Sequence, residues 1–463
     1  MLHSRLLTAV FAISIIPAIP AFSEDNPTAE LLSQLIRVDT SNPPGQEGKT
    51  AALLAPKFRD LGLEVTIVPT PEAGKAHLIA RLKGDGTKKP VLIAAHADVV
   101  GVEREKWTVD PFGGVIKDGY VYGRGAIDFK GGVAVFAQAV MMLARGHVPL
   151  HRDVIFLSEA DEEGGRYGTR WLAESHWDLV DCEFALNEGG WVMKDPENKV
   201  RYISISTADK SSVSMTLTAK GTSTHSSMPR PDNAIFTLAK AMARVAGYDT
   251  PPRLIPCTRD FFLTLAKTSK PPMSTYFSNL VNGQDPRLVH EADVEISKDP
   301  LLHAIMRNTI APVFLNAGFR GNVIPGSAQA TLNFRVIPGT DPRELVSEIQ
   351  RVVDDRRVEV AVGSGRTASR PASPSSTDTD LYRALAHSAK RVWSAPVTTY
   401  LFQAGTDASA WRNRGVPVYG IYPYPISAED LTRMHGNDER VPVASLEQGT
   451  RVIYDTLLEV AAK

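Results

Sequence analysis

The sequence is poor in cysteine, in unbalanced charge and in long apolar runs. Its two cysteines, Cys182 and Cys257 among 463 residues, are too few for a disulfide-stapled scaffold or a four-cysteine zinc site. The 51 basic residues are matched by 52 acidic ones, whereas a nucleic-acid binder carries a strong basic excess. Beyond residue 23, no segment approaches the ~18 uninterrupted apolar residues that a membrane span requires. There is no internal repeat. A Gly-x-Ser-x-Gly elbow in a strand–turn–helix setting is also missing, which disfavours a serine esterase of the α/β-hydrolase kind. What is present is an ordinary globular composition, 43% hydrophobic, over a length that exceeds what one core usually supports, so two domains are expected.

Residues 1–23 hold one arginine, Arg5, no acid, and an apolar run interrupted by Pro17 and Pro20. Ala21 and Ser23 stand at positions −3 and −1 of a cut before Glu24. This reads as a secretory signal peptide and predicts a periplasmic or secreted protein; the two prolines and the short run disfavour a membrane anchor. In an oxidising compartment Cys182 and Cys257 could pair only across two predicted domains, so a disulfide is the less favoured state.

From residue 26 to about 205 helical and extended patterns alternate. Asn26-Pro27 starts a helix, 49–61 is helical and stops at Gly62, and Val91-Leu92-Ile93-Ala94-Ala95 is an apolar run of the kind buried on both faces of a sheet. A helix at 131–144 and strands at 153–157 and 183–186 follow. The expectation is an α/β domain with a mainly parallel sheet and helices on both faces. After about residue 207 the strands alternate, as at 212–219 and 329–336, with helices at 234–245 and 341–353. That pattern predicts a small α+β layer with one open sheet face. A Ser/Thr/Pro-rich linker at 367–378 leads to a further helix (380–392), a strand (397–401) and a final helix (443–461). The predicted organisation is therefore a leader (1–23), a catalytic domain in two parts (24–206 and 366–463), and an inserted domain (207–365).

Chemistry-bearing residues gather where strands end. His96-Ala97-Asp98 closes the apolar run at 91–95, and residues i and i+2 of an extended segment point to one side. A neutral histidine can give one nitrogen to a metal while a carboxylate holds the other; a buried His–Asp hydrogen bond fits the tripeptide equally well. Gly123-Arg124-Gly125 leads to Asp128 ahead of the 131–144 helix, where an acid also serves as a plain helix cap. Ser158-Glu159-Ala160-Asp161-Glu162-Glu163-Gly164-Gly165 places four acids at the end of a core strand. Such crowding is costly unless a cation neutralises it, and strand ends are where open α/β sheets place their sites. Glu188 and His435 add a carboxylate and a second imidazole. This donor mix suits zinc, with cobalt or manganese as alternatives.

With these motifs in this order, the sequence resembles the di-zinc hydrolase family that includes aminoacylase, acetylornithine deacetylase, succinyl-diaminopimelate desuccinylase and the bacterial glutamate carboxypeptidases. The likeness runs from about Leu31 to the C-terminus, with the second domain inserted between the fourth and fifth motifs. It implies a ferredoxin-like lid and dimerisation domain, and two divalent metal ions. Asp128 would bridge the ions, His96 and Glu188 would complete one site, and Glu163 and His435 the other. Asp98 would orient His96, Glu162 would be the general base, and the Asp128–Phe129 bond would be cis. In the insertion, His225 resembles the histidine that stabilises the oxyanion and Asn322 a substrate contact, both commonly acting from a partner subunit. Arg335 resembles the arginine that grips the substrate carboxylate, although Asn333 stands where the family often has Asp. Gly405-Thr406-Asp407 resembles a glycine loop at the substrate carboxylate, with Ala404 in place of its first glycine.

The family pattern of Glu at the position of Glu188, together with Arg335, points to a small-molecule substrate with an amide beside a free α-carboxylate: an N-acyl amino acid or the C-terminal residue of a small peptide. The segment Leu35-Ile36-Arg37-Val38-Asp39-Thr40-Ser41-Asn42-Pro43-Pro44 resembles the secreted branch that acts on such compounds. A dipeptidase needing a free amine is the alternative. A silent binding protein on the same fold would be marked by loss of Glu162 or a ligand, and none is lost.

Overall fold

The computed structural model describes residues 26–363 and 372–463. The predicted leader and residues 367–371 of the predicted linker lie outside these, and residues 372–378 form no helix or strand. None of the described helices is long and apolar enough to cross a membrane.

The larger part is a ten-stranded sheet. At its centre Val91–His96 pairs in parallel with Val154–Glu159 on one side and with Phe184–Asn187 on the other, and Val418–Gly420 continues the parallel run. The margin at Glu64–Pro69 and Ala76–Leu82 is antiparallel. The apolar run at 91–95 is continuous because both faces of its strand are covered. Val91, Ile93 and Ala95 enter one hydrophobic cluster, whereas Leu92 and Ala94 enter another. The first cluster takes Leu32, Phe58, Phe136, Leu385 and Leu457 from the helices Pro27–Ile36, Glu47–Arg59, Lys130–Arg145, Asp380–Trp393 and Val443–Ala461. The second takes Leu172 and Trp411 from the short helices Thr169–Ser175 and Ser409–Arg412. The Asn26 side chain caps the first helix by accepting from the N–H groups of Thr28 and Ala29.

The smaller layer is a four-stranded antiparallel sheet in the order Thr309–Ala317, Ser327–Val336, Ser211–Lys220, Val358–Val362. With helices Ala234–Ala246 and Pro342–Val353 this is the βαββαβ arrangement of a ferredoxin-like domain. Val213, Met215 and Leu217 face the helices and pack with Leu238, Leu345 and Ile349; Ser212, Ser214 and Thr216 occupy the open face. Asn233 is the residue that caps the first of these helices.

One boundary differs from the sequence-based expectation. The helices Pro256–Thr268, Met273–Asn282, Pro286–Ile296 and Pro300–Met306 lie inside the predicted insertion 207–365, yet they join the core of the large sheet. Phe261 meets Tyr202 and Tyr400 edge-on, with ring centroids 5.4 and 5.1 Å apart. Tyr202 on the strand Val200–Asp209 and Tyr400 on Val397–Phe402 offer the helices a surface to bury, which the helix-facing side of the small sheet, already filled, does not. Cys182 and Cys257 are both free and buried, in separate hydrophobic clusters.

Candidate active site

His96, Glu159 and Asn187 are the last residues of three adjacent parallel strands. The loops that follow therefore open on one edge of the sheet, where such folds bind ligands. From those loops come Asp98, Glu162, Glu163 and Glu188. Asp128 stands just before the helix Lys130–Arg145, and His435 comes from the C-terminal part. The peptide bond Asp128–Phe129 is cis.

Two groups of side chains could each hold a metal ion: His96, Asp128 and Glu188, and Asp128, Glu163 and His435. They share Asp128, whose two oxygens divide between them. Asp128 Oδ1 is 3.1 Å from His96 Nε2, and Asp128 Oδ2 is 3.0 Å from His435 Nε2. Glu188 Oε2 lies 3.5 Å from His96 Nε2, and Glu163 Oε1 lies 3.1 Å from His435 Nε2. His96 Nδ1 sits 3.0 Å from the carbonyl of Asp98 and must carry its proton there. In the neutral ring, Nε2 is then a lone pair facing two carboxylate oxygens. Acceptors at this spacing need a cation among them, so the donor set fits a divalent ion.

The electrostatics agree. Burial opposes a charge on His96, yet the Glu188 and Asp128 carboxylates raise its pKa well above the usual value. Hydrogen bonding to Asp128 and Glu163 raises His435 to about 10. Burial pushes Glu188 up to about 7. Burial, with the charge of Glu188 adding, holds Glu162 well above the carboxylate range. Glu162 lines the cavity beside these groups, and among the described residues its carboxylate has no hydrogen-bond partner.

Asp98 faces His96 Nδ1 with two oxygens: its backbone carbonyl at 3.0 Å and its carboxylate Oδ1 at 3.6 Å, an ion-pair distance. The carboxylate also accepts the backbone N–H groups of Glu162 (3.1 Å) and Glu163 (2.9 Å), so it holds the loop that carries the candidate base and one candidate ligand.

The Gly123-Arg124-Gly125 motif acquires a similar explanation. The buried carboxylate of Glu439 accepts the N–H groups of Gly125, Ile127 and Asp128 at 3.0, 2.7 and 3.0 Å, and Arg124 Nη1 at 2.6 Å. Arg124 Nη2 reaches the carbonyl of Gly436 at 2.8 Å, fixing the His435 loop to the Asp128 loop. At Gly125, φ is +88° and a Cβ would come within 2.7 Å of Val99, so glycine is required there.

A cavity of about 540 Å³ opens over these groups, walled by Arg335, Lys210, Gly405, Asp407, Arg412 and Tyr422 among others. Arg335 lies on the open face of the small sheet, and among the described residues it has no carboxylate partner; Asn333 donates to Ser212 Oγ at 2.8 Å instead. Gly405 stands in the wall as expected. His225 and Asn322 do not reach the cavity. They lie at a separate two-stranded ribbon, where His225 pairs with Val323 and Ser226 N–H donates to the Asn322 carbonyl at 3.0 Å, and His225 is exposed.

The sequence reading missed Tyr422, Arg412 and Asp209. Tyr422 is buried, stacked on Trp191 at 4.3 Å, and donates to Glu188 Oε2. Arg412 pairs with Asp209 at 2.5 Å where the two layers join. No local pattern marks these residues; the pair Asp438-Glu439 close behind His435 was the signal for Glu439.

The chain matches Peptidase family M20/M25/M40 over residues 92–459. The human N-fatty-acyl-amino acid synthase/hydrolase PM20D1 is 32% identical over 394 residues, 82% of this chain and 76% of the human one. The Dictyostelium discoideum probable carboxypeptidase S-like 2 is 31% identical over 383 residues, 80% of this chain and 72% of the other. Among solved structures, an M20 family metallo-carboxypeptidase from Sulfolobus solfataricus superposes with a TM-score of 0.69 at 17% identity, covering 94% of this chain and 99% of that one, which shows the shared fold. The chain belongs to peptidase family M20/M25/M40 and is a metal-dependent hydrolase.

Proposed function

For this M20/M25/M40 hydrolase we propose the cleavage of an amide bond beside a free α-carboxylate, in N-acyl amino acids or at the C-terminus of small peptides. The observation that carries the reading is Asp128, one oxygen turned to each of two His–carboxylate groups, with Glu162 in the cavity beside them. His96, Asp128 and Glu188 would hold one ion and Asp128, Glu163 and His435 the other, zinc being the first choice and cobalt or manganese the alternatives. Bound there, the ions supply Lewis acidity for the scissile carbonyl and for the attacking water.

The chain's own residues do the rest. Glu162 takes a proton from the water as its oxygen bonds to the carbonyl carbon, then passes that proton to the amide nitrogen as the C–N bond breaks. Arg335 offers two parallel N–H donors to the substrate carboxylate, a match for its guanidinium fork. The N-fatty-acyl amino acids named for the human relative are the first acyl class to try.

The exposed edge strand Thr309–Ala317 carries Phe314 and Leu315, 67% and 69% exposed. We assign it to a contact with a second copy, which would bring His225 and Asn322 toward the partner's cavity. Residues 1–23 support export to the periplasm or the exterior, with a mature terminus at Glu24.

The decisive experiment compares hydrolysis of matched leucine substrates by the zinc-loaded protein, one N-acylated and one with a free amine, with Glu162→Gln as control. Preference for the acylated compound supports the proposal. Preference for the free amine replaces it with a dipeptidase, and cleavage of neither by a protein holding two metals overturns the substrate class.

A further inference from the structure

The segment Asp39–Pro44 has no part in the mechanism above, yet it lies against its first motif. Val99 N–H donates to the Thr40 carbonyl at 3.2 Å, Asn42 N–H to the Val99 carbonyl at 2.9 Å, and Thr40 Oγ1 to the Ala97 carbonyl at 2.6 Å. The segment is thus a strap along His96-Ala97-Asp98. It brings the amide of Asn42 between two buried carboxylates. Asn42 Nδ2 is 2.8 Å from Asp98 Oδ2 and 2.8 Å from Asp161 Oδ1. Its two protons serve one acid each. Its Oδ1 accepts from Lys75 Nζ at 3.2 Å, and the same ammonium lies 2.5 Å from Asp161 Oδ1.

These two acids bracket the loop that carries Glu162 and Glu163. Asp98 accepts the N–H groups of both glutamates. Asp161 holds the far end of the loop by accepting the N–H groups of Arg166 and Tyr167 at 3.0 and 2.5 Å. Asp161 itself has a φ of +66°, a conformation that local preference does not supply and that its surroundings must impose. Asn42, Asp98, Asp161 and Lys75 are all at most 9% exposed. In such a setting loss of the amide takes one of two donors from Asp98 Oδ2, which keeps Glu163 N–H, and one of two from Asp161 Oδ1, which keeps Lys75, and water cannot readily replace them. An amide suits position 42 because an acid would set a third carboxylate against two, and an apolar residue would supply no donor.

We propose that Asn42 is a positioning residue for the hydrolytic step: its amide ties Asp98 to Asp161 and thereby sets the place of Glu162 and Glu163. The inference rests on the reading of Glu162 as the base and of Glu163 as a ligand. Asn42 does not line the cavity, so its effect should fall on kcat and on one metal rather than on substrate binding.

The test compares metal-loaded full-length protein with Asn42→Ala, Thr40→Val and Glu162→Gln. Asn42→Ala should lower kcat by roughly 10- to 100-fold, the usual effect of removing a partner behind a metal site, with KM within about twofold. Chelator competition should show weaker binding at the site that includes Glu163 and unchanged binding at the one that includes His96. Thr40→Val, which disturbs the same strap without touching Asp98 or Asp161, should keep kcat within about threefold. If Asn42→Ala does not fold, Asn42→Ser, which keeps one donor, carries the same test with a smaller loss. The proposal is overturned if kcat and metal affinity are both retained, or if Thr40→Val reproduces the loss. An active Glu162→Gln would instead bring down the underlying reading of the base, whatever Asn42 does.

Discussion

Tyr422 Oη lies 2.9 Å from Glu188 Oε2 and 3.1 Å from Asp128 Oδ1. One phenol thus touches a carboxylate of the His96 group and the carboxylate that both groups share. Its ring is fixed by stacking on Trp191 and by an edge contact with Phe129, centroids 5.0 Å apart. Tyr422→Phe keeps the ring and removes the donor. Metal affinity at the His96 group should fall about tenfold, as expected for a partner that orients a ligand. Titration against a fluorescent chelator checks this, and unchanged affinity would show that the hydroxyl is only a space-filler.

Neighbouring glutamates should separate in their effects. Glu162→Gln should bind both metals and lose at least about 100-fold in turnover, the scale of general base catalysis. Glu163→Gln should lose metal from the His435 side. Metal analysis and rates on the two variants decide, and a Glu162→Gln protein near full activity would sink the assignment.

Arg335 should matter only for substrates with a free carboxylate. Arg335→Ala should cut kcat/KM roughly 10- to 100-fold on an N-acyl amino acid, the value of charged hydrogen bonds, and much less on the corresponding C-terminal amide. Equal losses on both compounds would assign Arg335 to lid structure.

Burial, with the Asp98 charge adding, raises Glu47 from 4.5 to about 7, and its Oε2 is buried without a hydrogen-bond partner. The folded chain holds this proton more tightly than the unfolded one. The resulting stability is complete below the unfolded pKa near 4.5 and declines as pH rises through about 7. Glu47→Gln should therefore narrow the difference in melting temperature between pH 5 and pH 8 and be at least as stable as the parent at pH 8. A difference as wide as the parent's would refute this.

The exposed pair Phe314 and Leu315 should govern association. Phe314→Glu with Leu315→Glu should convert a dimer to a monomer in analytical ultracentrifugation and leave the melting temperature within a few degrees. A dimer that persists would move the contact elsewhere.

Candidate residues were legible in the sequence where a local signal existed. The run at 91–95 is apolar because both faces are buried, and His96 closes it, so the strand and its terminal candidate ligand could be read together. The alternation of Val213, Met215 and Leu217 likewise revealed a sheet with one covered face. No such signal marked the helices from Pro256 to Met306 as part of the larger core, because amphipathic periodicity tells which side of a helix is buried but not against which sheet. For Asp98, spacing at i and i+2 put the carboxylate on the same side as His96, but only the fold determined that its oxygens also hold the N–H groups of Glu162 and Glu163.

What the sequence determined alone is the α/β alternation, the inserted layer, and the identity and order of the candidate ligands, since each sits beside a strand end or helix start that its neighbours encode. Tertiary structure decided which acid meets which histidine, and what holds them. Asn42 and Asp98 are 56 residues apart, Tyr422 and Glu188 are 234 apart, and Glu439 and the N–H of Asp128 are 311 apart. Hydrogen bonds across such separations leave no periodicity in the chain; they exist only after the sheet has ordered its strands and brought their ends to one edge.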